Sequence, residues 1–270
     1  MKIQKLWMAE RNKKVSPVVA VMNFLLVCII LILVFWLSLR RIHTTFDFSF
    51  LGEFQIRIRD GFLMTVYLSL ASLILSLLIG IGSAAGQNSR FLPIRYLCYI
   101  YVKFIRGTPL IMQIYLFFYI VGTAWGIENR FLAGVIILSI FEGAYIAEII
   151  RGSLLSISDS QLEAAKAVGF NGKQTVRYVI LPQLVARTLP ALTGQFASII
   201  KDSSLLSMIA VIELTQTMRE ISATNFKLFE CYLFLGGLYL CLTLPISFVS
   251  ERLERRFDYE NLISRIDEEF

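Results

Sequence analysis

The sequence predicts an all-α polytopic membrane protein with six transmembrane helices, and three observations carry that prediction. Hydrophobic residues make up 56% of the 270-residue chain and charged residues only 17%, with a mean hydropathy of +0.67. A soluble domain carries roughly 25% charged residues. The apolar residues fall in blocks close to the ~20 residues needed to cross a hydrocarbon core of about 30 Å. Lys and Arg collect at the ends of those blocks, where membrane proteins keep them. A soluble enzyme, a disordered chain and a nucleic-acid-binding module with a water-facing basic surface are excluded. The net charge of +6 needs no nucleic acid to explain it.

The first block, residues 18–39, is uncharged and interrupted only by Asn23 and Ser38. It follows a basic tail (Lys2, Lys5, Arg11, Lys13, Lys14), as a signal peptide would. The run exceeds the apolar region of about 7–15 residues of such peptides, and it ends in Leu39-Arg40-Arg41 rather than small residues. A retained helix is expected. The second span, residues 62–86, places Gly82 and Gly86 four apart near its end, a small face suited to close helix packing. Its Ser69, Ser72 and Ser76 stripe is expected to pack as well.

Residues 93–125 are too long for one simple crossing and contain Lys103, Arg106 and Pro109. Arg95, Tyr99, Lys103 and Arg106 recur at helical spacing, with Leu97, Ile100 and Phe104 on the other side, the pattern of an interfacial amphipathic helix. Pro109 cannot donate a backbone hydrogen bond, so a break falls there and the crossing is residues 109–125. Residues 131–150, 191–212 and 229–249 complete the six. With the N-terminus in the cytoplasm, that side holds 18 Lys and Arg against 7 outside, with Lys201 inside a span. Both termini are therefore expected in the cytoplasm, and the chain is expected to be a multi-pass protein of the cell (inner) membrane.

Metal and nucleophile chemistry find little support. Cys28, Cys98, Cys231 and Cys241 have no metal-ligand spacing and do not form a disulfide framework. His43 is the single histidine and reads as an ordinary loop residue. No catalytic residues and no metal site are expected.

The longest cytoplasmic connection, from Arg151 to about Pro190, has a built-in pattern. Ser160-Gln161-Leu162-Glu163 has the spacing of a capping box, which would start a helix over residues 162–168. Gly169 stands where a C′ residue of positive φ is wanted. Asn171-Gly172 allows a turn, residues 173–180 can form a second short helix, and Pro182 should stop it. A capped re-entry loop would need no more than this.

Ionisable residues inside spans are costly and point to function. Glu142 lies near the middle of its span, and two readings stand. It faces a translocation path that favours an amine, or it makes a helix–helix hydrogen bond. Glu148 and Arg151, three apart, should form a local ion pair. Lys201 and Asp202 are adjacent, so each needs a different partner.

At these residues the chain resembles a known family. Glu163-Ala164-Ala165, three residues, Gly169, nine residues, Val179, one residue, then Leu181-Pro182 resembles the EAA loop of binding-protein-dependent ABC importer permeases. The family pattern has isoleucine where this chain has Val179. Three further strings resemble the polar amino-acid branch, which imports histidine, glutamine, glutamate, arginine and opines: Arg106-Gly107-Thr108-Pro109-Leu110, the run from Ala144 to Gly152, and Lys201-Asp202-Ser203-Ser204-Leu205. The last has serine where the branch usually has threonine.

The resemblance implies a type I permease core of five helices, preceded by one extra helix that serves as an added anchor. It divides the chain into an N-terminal part (1–60), a permease domain (61–252) and a C-tail (253–270). It implies that Glu163, Ala164, Ala165, Gly169, Leu181 and Pro182 belong to a coupling loop that docks on a separate ABC ATPase dimer. It implies an extracytoplasmic solute-binding protein, a second permease chain and a gate or interhelical role for Lys201 and Asp202. No Walker A string is present, since Gly172-Lys173-Gln174 lacks the upstream glycine and the hydroxyl residue. The chain is thus expected to bind no cofactor itself, with ATP and Mg held by the ATPase. A secondary transporter of small polar solutes is the alternative, and an intramembrane enzyme a weaker one.

Overall fold

The computed structural model describes residues 16–42 and 46–257, and every regular element among them is helical. The basic N-tail, His43 and the part of the C-tail beyond residue 257 lie outside the described residues. The described residues up to Phe48 form one unit and those from Ser49 a second.

The first unit holds α1 (Pro17–Ile42), whose most apolar stretch has a mean hydropathy of 3.2. Leu31, Ile32 and Phe35 are exposed along it, as suits a helix solvated by lipid. Its two polar interruptions satisfy themselves: Asn23 Nδ2 donates to the Val19 carbonyl and Ser38 Oγ to that of Val34, each at 2.8 Å.

The second unit is built on α2 (Gln55–Gln87) and α5 (Arg130–Leu155), which make the most extensive helix contact in the chain. Both pass the length and hydropathy required of a span, as does the last helix, α10 (Leu228–Phe257). Close approach of α2 and α5 rests on glycine. A Cβ at Gly80 would lie 2.5 Å from Ile146 Cγ2, and one at Gly143 2.7 Å from Ile79 Cγ2. The sequence pointed to Gly82 and Gly86, which is half right. Gly86 packs against Cys98, but a Cβ at Gly82 would meet nothing within 4 Å. Helical phase decides this: Gly80 lies half a turn from Gly82 and faces the core. Ser69, Ser72 and Ser76 are buried on that inner face, and Ser139 Oγ donates to the Ser72 carbonyl at 3.2 Å.

Between α2 and α5 the chain forms the amphipathic helix α3 (Leu92–Gly107), then α4 (Leu110–Tyr115), which continues as a π-helical stretch over Leu116–Gly122. The two segments meet at a bend of 115° at Thr108-Pro109. Gln113 holds the bend. It is fully buried, and its Nε2 donates to Ile105 O at 2.8 Å, Thr108 O at 3.2 Å and Thr108 Oγ1 at 2.7 Å. The break that Pro109 imposes on hydrogen bonding is thus closed by a side-chain amide.

After α5 come α6 (Asp159–Ala167), α7 (Gly172–Thr175) and a π-helical stretch (Val176–Ile180) that runs directly into α8 (Leu181–Asp202). Here the sequence expectation fails at two points. Pro182 does not stop a helix; the backbone passes through it. The wider π turn immediately before it relieves the clash of the proline ring with the carbonyl four residues back and absorbs the missing donor. The helix found in place of the span expected at 191–212 consequently lies ten residues earlier at each end, and it is not among the described helices that pass the length and hydropathy required of a span. It ends in a 3₁₀ stretch, Ser203–Ile209, closed by Ala210 in the left-handed region (φ 56°). The other failure is the capping box at Ser160. The helix begins at Asp159 behind Ser158, and Ser160 Oγ sits 3.0 Å from Ser158 Oγ instead of capping.

Helix α9 (Leu214–Asn225) is fastened by a buried carboxylate. Glu213 accepts from the amides of Thr215 and Gln216, both at 2.8 Å, and from Tyr239 Oη at 3.0 Å on α10. One core cluster centres on Leu68, Leu138, Phe141, Ile199 and Leu206, and a second on Phe50, Leu214, Met218 and Ile221.

Candidate functional site

The connection between α5 and α8 is a rigid helical hairpin. Its first arm, α6, ends in a Schellman motif: Gly169 takes φ +84°, its N–H reaches Lys166 O at 2.9 Å, and the Phe170 N–H reaches Ala165 O at 3.0 Å. This is the role the sequence assigns to Gly169. A true capping box opens the second arm, where Asn171-Gly172 was expected to make only a turn. Asn171 Oδ1 accepts from Gln174 N at 2.9 Å, and Gln174 Oε1 accepts from Asn171 N at 2.8 Å. An Asn with Gln three residues on is the signal that sequence reasoning passed over.

Of the loop residues, Glu163, Ala164, Gly169, Leu181 and Pro182 are exposed. Ala165 is buried and faces the second arm, where Phe170 and Tyr178 pack with ring centroids 6.0 Å apart. The exposed surface of α6 is therefore mixed, with a small apolar strip of Ala164, Ala167 and Val168 (75% exposed) beside the charged Glu163 and Lys166. The hairpin is tied back to the spans by Arg187 on α8, whose guanidinium donates to the carbonyl of Ser156 at 2.6 Å and to its hydroxyl.

A second locus lies inside the helix pack. Glu142 on α5 is fully buried, and Gln195 on α8 donates to its Oε2. Its Oε1 receives no N–H or hydroxyl donor; the carboxyl of Asp202, at the end of α8, stands against Glu142 instead. Lys201 is exposed and points elsewhere. The structure thus joins Glu142 to Asp202 and adds Gln195, while the exposed Lys201 acts on Asp202 through its charge alone. Gln195 gave no sequence signal because amides are ordinary on helix surfaces. The helix–helix hydrogen bond is present. Two carboxyl groups and an amide at one buried point also form a polar site able to hold an ammonium group, which would replace the mutual contact of the acids.

Glu148 and Arg151 form the expected ion pair, with Arg151 Nε 3.1 Å from both carboxylate oxygens. Arg106 joins from α3 at 3.4 Å, which ties the Arg106–Leu110 string to the Ala144–Gly152 string.

Residues 76–259 match the family described as binding-protein-dependent transport system inner membrane component. The chain is 36% identical over 213 residues to the glutamine transport system permease protein GlnP of Escherichia coli (strain K12), covering 78% of this chain and 97% of that one. It is 34% identical to the probable glutamine ABC transporter permease protein GlnM of Bacillus subtilis (strain 168), covering 74% and 92%. To the L-cystine transport system permease protein TcyB of the same organism it is 35% identical, covering 73% and 85%. Among solved structures, an amino acid ABC transporter crystallised with histidines superposes with a TM-score of 0.73 at 33% identity, covering 79% of this chain and 100% of that one. The MetNI methionine ABC transporter shares the fold with a TM-score of 0.60 at 18% identity, covering 78% and 99%.

Proposed function

The chain belongs to the family of binding-protein-dependent transport system inner membrane components, and from that membership we propose that it carries a polar amino acid into the cell as one of two permease chains in an ABC importer. It is a membrane-spanning transport subunit and not an enzyme. The observation that carries the proposal is the capped hairpin of α6 and α7. A helix whose exposed surface carries a small apolar strip beside Glu163 and Lys166, locked at its C-terminal end and tied back to the helix pack by Arg187, is suited to docking in a groove of another subunit.

In this reading the hairpin lies in the cytoplasm on an ABC ATPase dimer that holds ATP and Mg, and both termini lie on the same side. The excess of Lys and Arg at the helix ends on that side supports the orientation. An extracytoplasmic solute-binding protein delivers the substrate opposite. The names of the relatives, glutamine and cystine permeases, support an amino acid as the cargo. Alternating access then opens the Glu142–Gln195–Asp202 site first to one side and then to the other.

Reconstitution tests the reading. The complex purified in mild detergent should contain an ATPase subunit, and proteoliposomes should accumulate amino acid only with ATP and binding protein present. Uptake by the permease alone, driven by an ion gradient, would instead establish the secondary transporter. Glu142→Gln removes the acid but keeps the bond geometry to Gln195, so uptake should slow by roughly tenfold, as for one lost charge-assisted contact. Unchanged transport kinetics would reduce Glu142 to a structural helix–helix contact.

A further inference from the structure

We infer that a cleft between the end of α2, the polar face of α3 and the end of α5 binds the phosphate of an anionic phospholipid headgroup. The cleft is about 330 Å³ and is lined by Gln87, Asn88, Tyr99, Lys103, Glu148 and Arg151, within the lower range of small-ligand sites.

Its charge is unbalanced. Glu148 is the single carboxylate, and it is already engaged by Arg151 and Arg106. Lys103 is the second cation of the lining, its Nζ 5.6 Å over the Tyr99 ring. Lys103 and Arg151 in the lining, with Arg106 adjoining it through Glu148, outnumber the one acid and leave a local surplus that an anion would neutralise. Gln87, which lines the cleft, keeps its Nε2 buried without an acceptor, and a buried amide N–H left unpaired is costly until a partner reaches it. The carbonyls that end α2 do not repel an incoming anion, because Asn88 covers them: its Nδ2 donates to Ala84 O at 3.1 Å and its N–H to Ala85 O at 3.1 Å.

A lipid fits better than a soluble anion because of what borders the cleft. Around α3, at 100° per residue, the stripe next to Tyr99 and Lys103 is Tyr96, Ile100 and Phe104, and all three are exposed. Helix α3 makes a 115° bend with the apolar segment that follows, and with that segment crossing the bilayer the amphipathic α3 lies near the interface, where phosphates reside. A headgroup in the cleft therefore sets its acyl chains along an apolar ridge of the same helix. Anionic lipids are drawn to such basic sites.

Native mass spectrometry of the assembled importer tests this, with the complex delipidated and offered an equal mixture of phosphatidylglycerol, phosphatidylcholine and phosphatidylethanolamine. The expected result is selective retention of phosphatidylglycerol. Lys103→Gln and Gln87→Leu should each reduce it by roughly tenfold, Lys103→Arg should restore it, and Arg90→Gln, outside the cleft, should leave it unchanged. Equal retention of the three lipids, or undiminished retention in both cleft variants, overturns the inference. Displacement of the lipid by inorganic phosphate would assign the cleft to a soluble anion and overturn the lipid as its source.

Discussion

Gly169→Asp is expected to release the ATPase subunit from the purified complex by roughly tenfold or more while leaving the permease inserted and folded. A Cβ at Gly169 would meet nothing within 4 Å, so the substitution causes no clash. The cost is conformational. At φ +84° an L-residue with a Cβ loses about 1–2 kcal/mol, and a carboxylate at a helix C-terminus opposes the dipole by about 0.3–1 kcal/mol more. Loss of the Schellman bonds frees α6 from the second arm, and a hairpin that must be reordered on docking binds more weakly. Asn tolerates this backbone best, so Gly169→Asn should retain more ATPase than Gly169→Ala, and Ala more than Asp. Glu163→Lys, on the exposed face, should weaken docking without loosening the hairpin. The ratio of ATPase to permease after affinity purification reads all four. Full stoichiometry in every variant would sink the docking role of this hairpin.

Gly143→Ala should be, with Gly80→Ala, among the most destabilising methyl additions in the chain. The new Cβ would stand 2.7 Å from Ile79 Cγ2, 3.0 Å from Ile79 Cβ and 3.1 Å from Tyr101 Oη. Ile79 is β-branched and stiff, so α2 and α5 must move apart. Overpacking of this kind costs about 1–3 kcal/mol, and separation also strains the bonds from Tyr101 Oη to Ile140 O (2.6 Å) and from Ser139 to Ser72. A lower thermal midpoint in detergent is expected, with partial recovery in the Gly143→Ala/Ile79→Ala double variant. Gly82→Ala, which faces open space, is the matched control. Equal midpoints for the two single variants would show that the α2–α5 crossing does not depend on glycine.

The membrane class and the blocks were legible because apolar length is a property of composition over some twenty residues. Gly169 was legible because a single residue type meets a single backbone need. What escaped depended on contacts across the fold. Gln113 and Gln195 are amides whose importance comes only from being buried against a broken backbone and a carboxylate. Ser160 has the right spacing for a cap, yet the preceding residues Ser158 and Asp159 take the helix start. Pro182 carries a strong local stop signal, but the π turn before it changes the geometry the rule assumes.

That π turn joins two arms that are otherwise one rod. From Gly172 to Asp202 the backbone is helical without interruption, about 45 Å at ~1.5 Å per residue. One end lies at the proposed ATPase dock and the other against Glu142. A rod of that length acts as a lever, with Arg187 at its midpoint holding it to Ser156. Under the proposed coupling, a tilt of about ten degrees about that midpoint would sweep the far end, about 22 Å away, by roughly 4 Å, enough to part Asp202 from Glu142, since polar side-chain contacts span only about 3 Å. The site could then be opened mechanically from a distance, with no side chain passing the signal along.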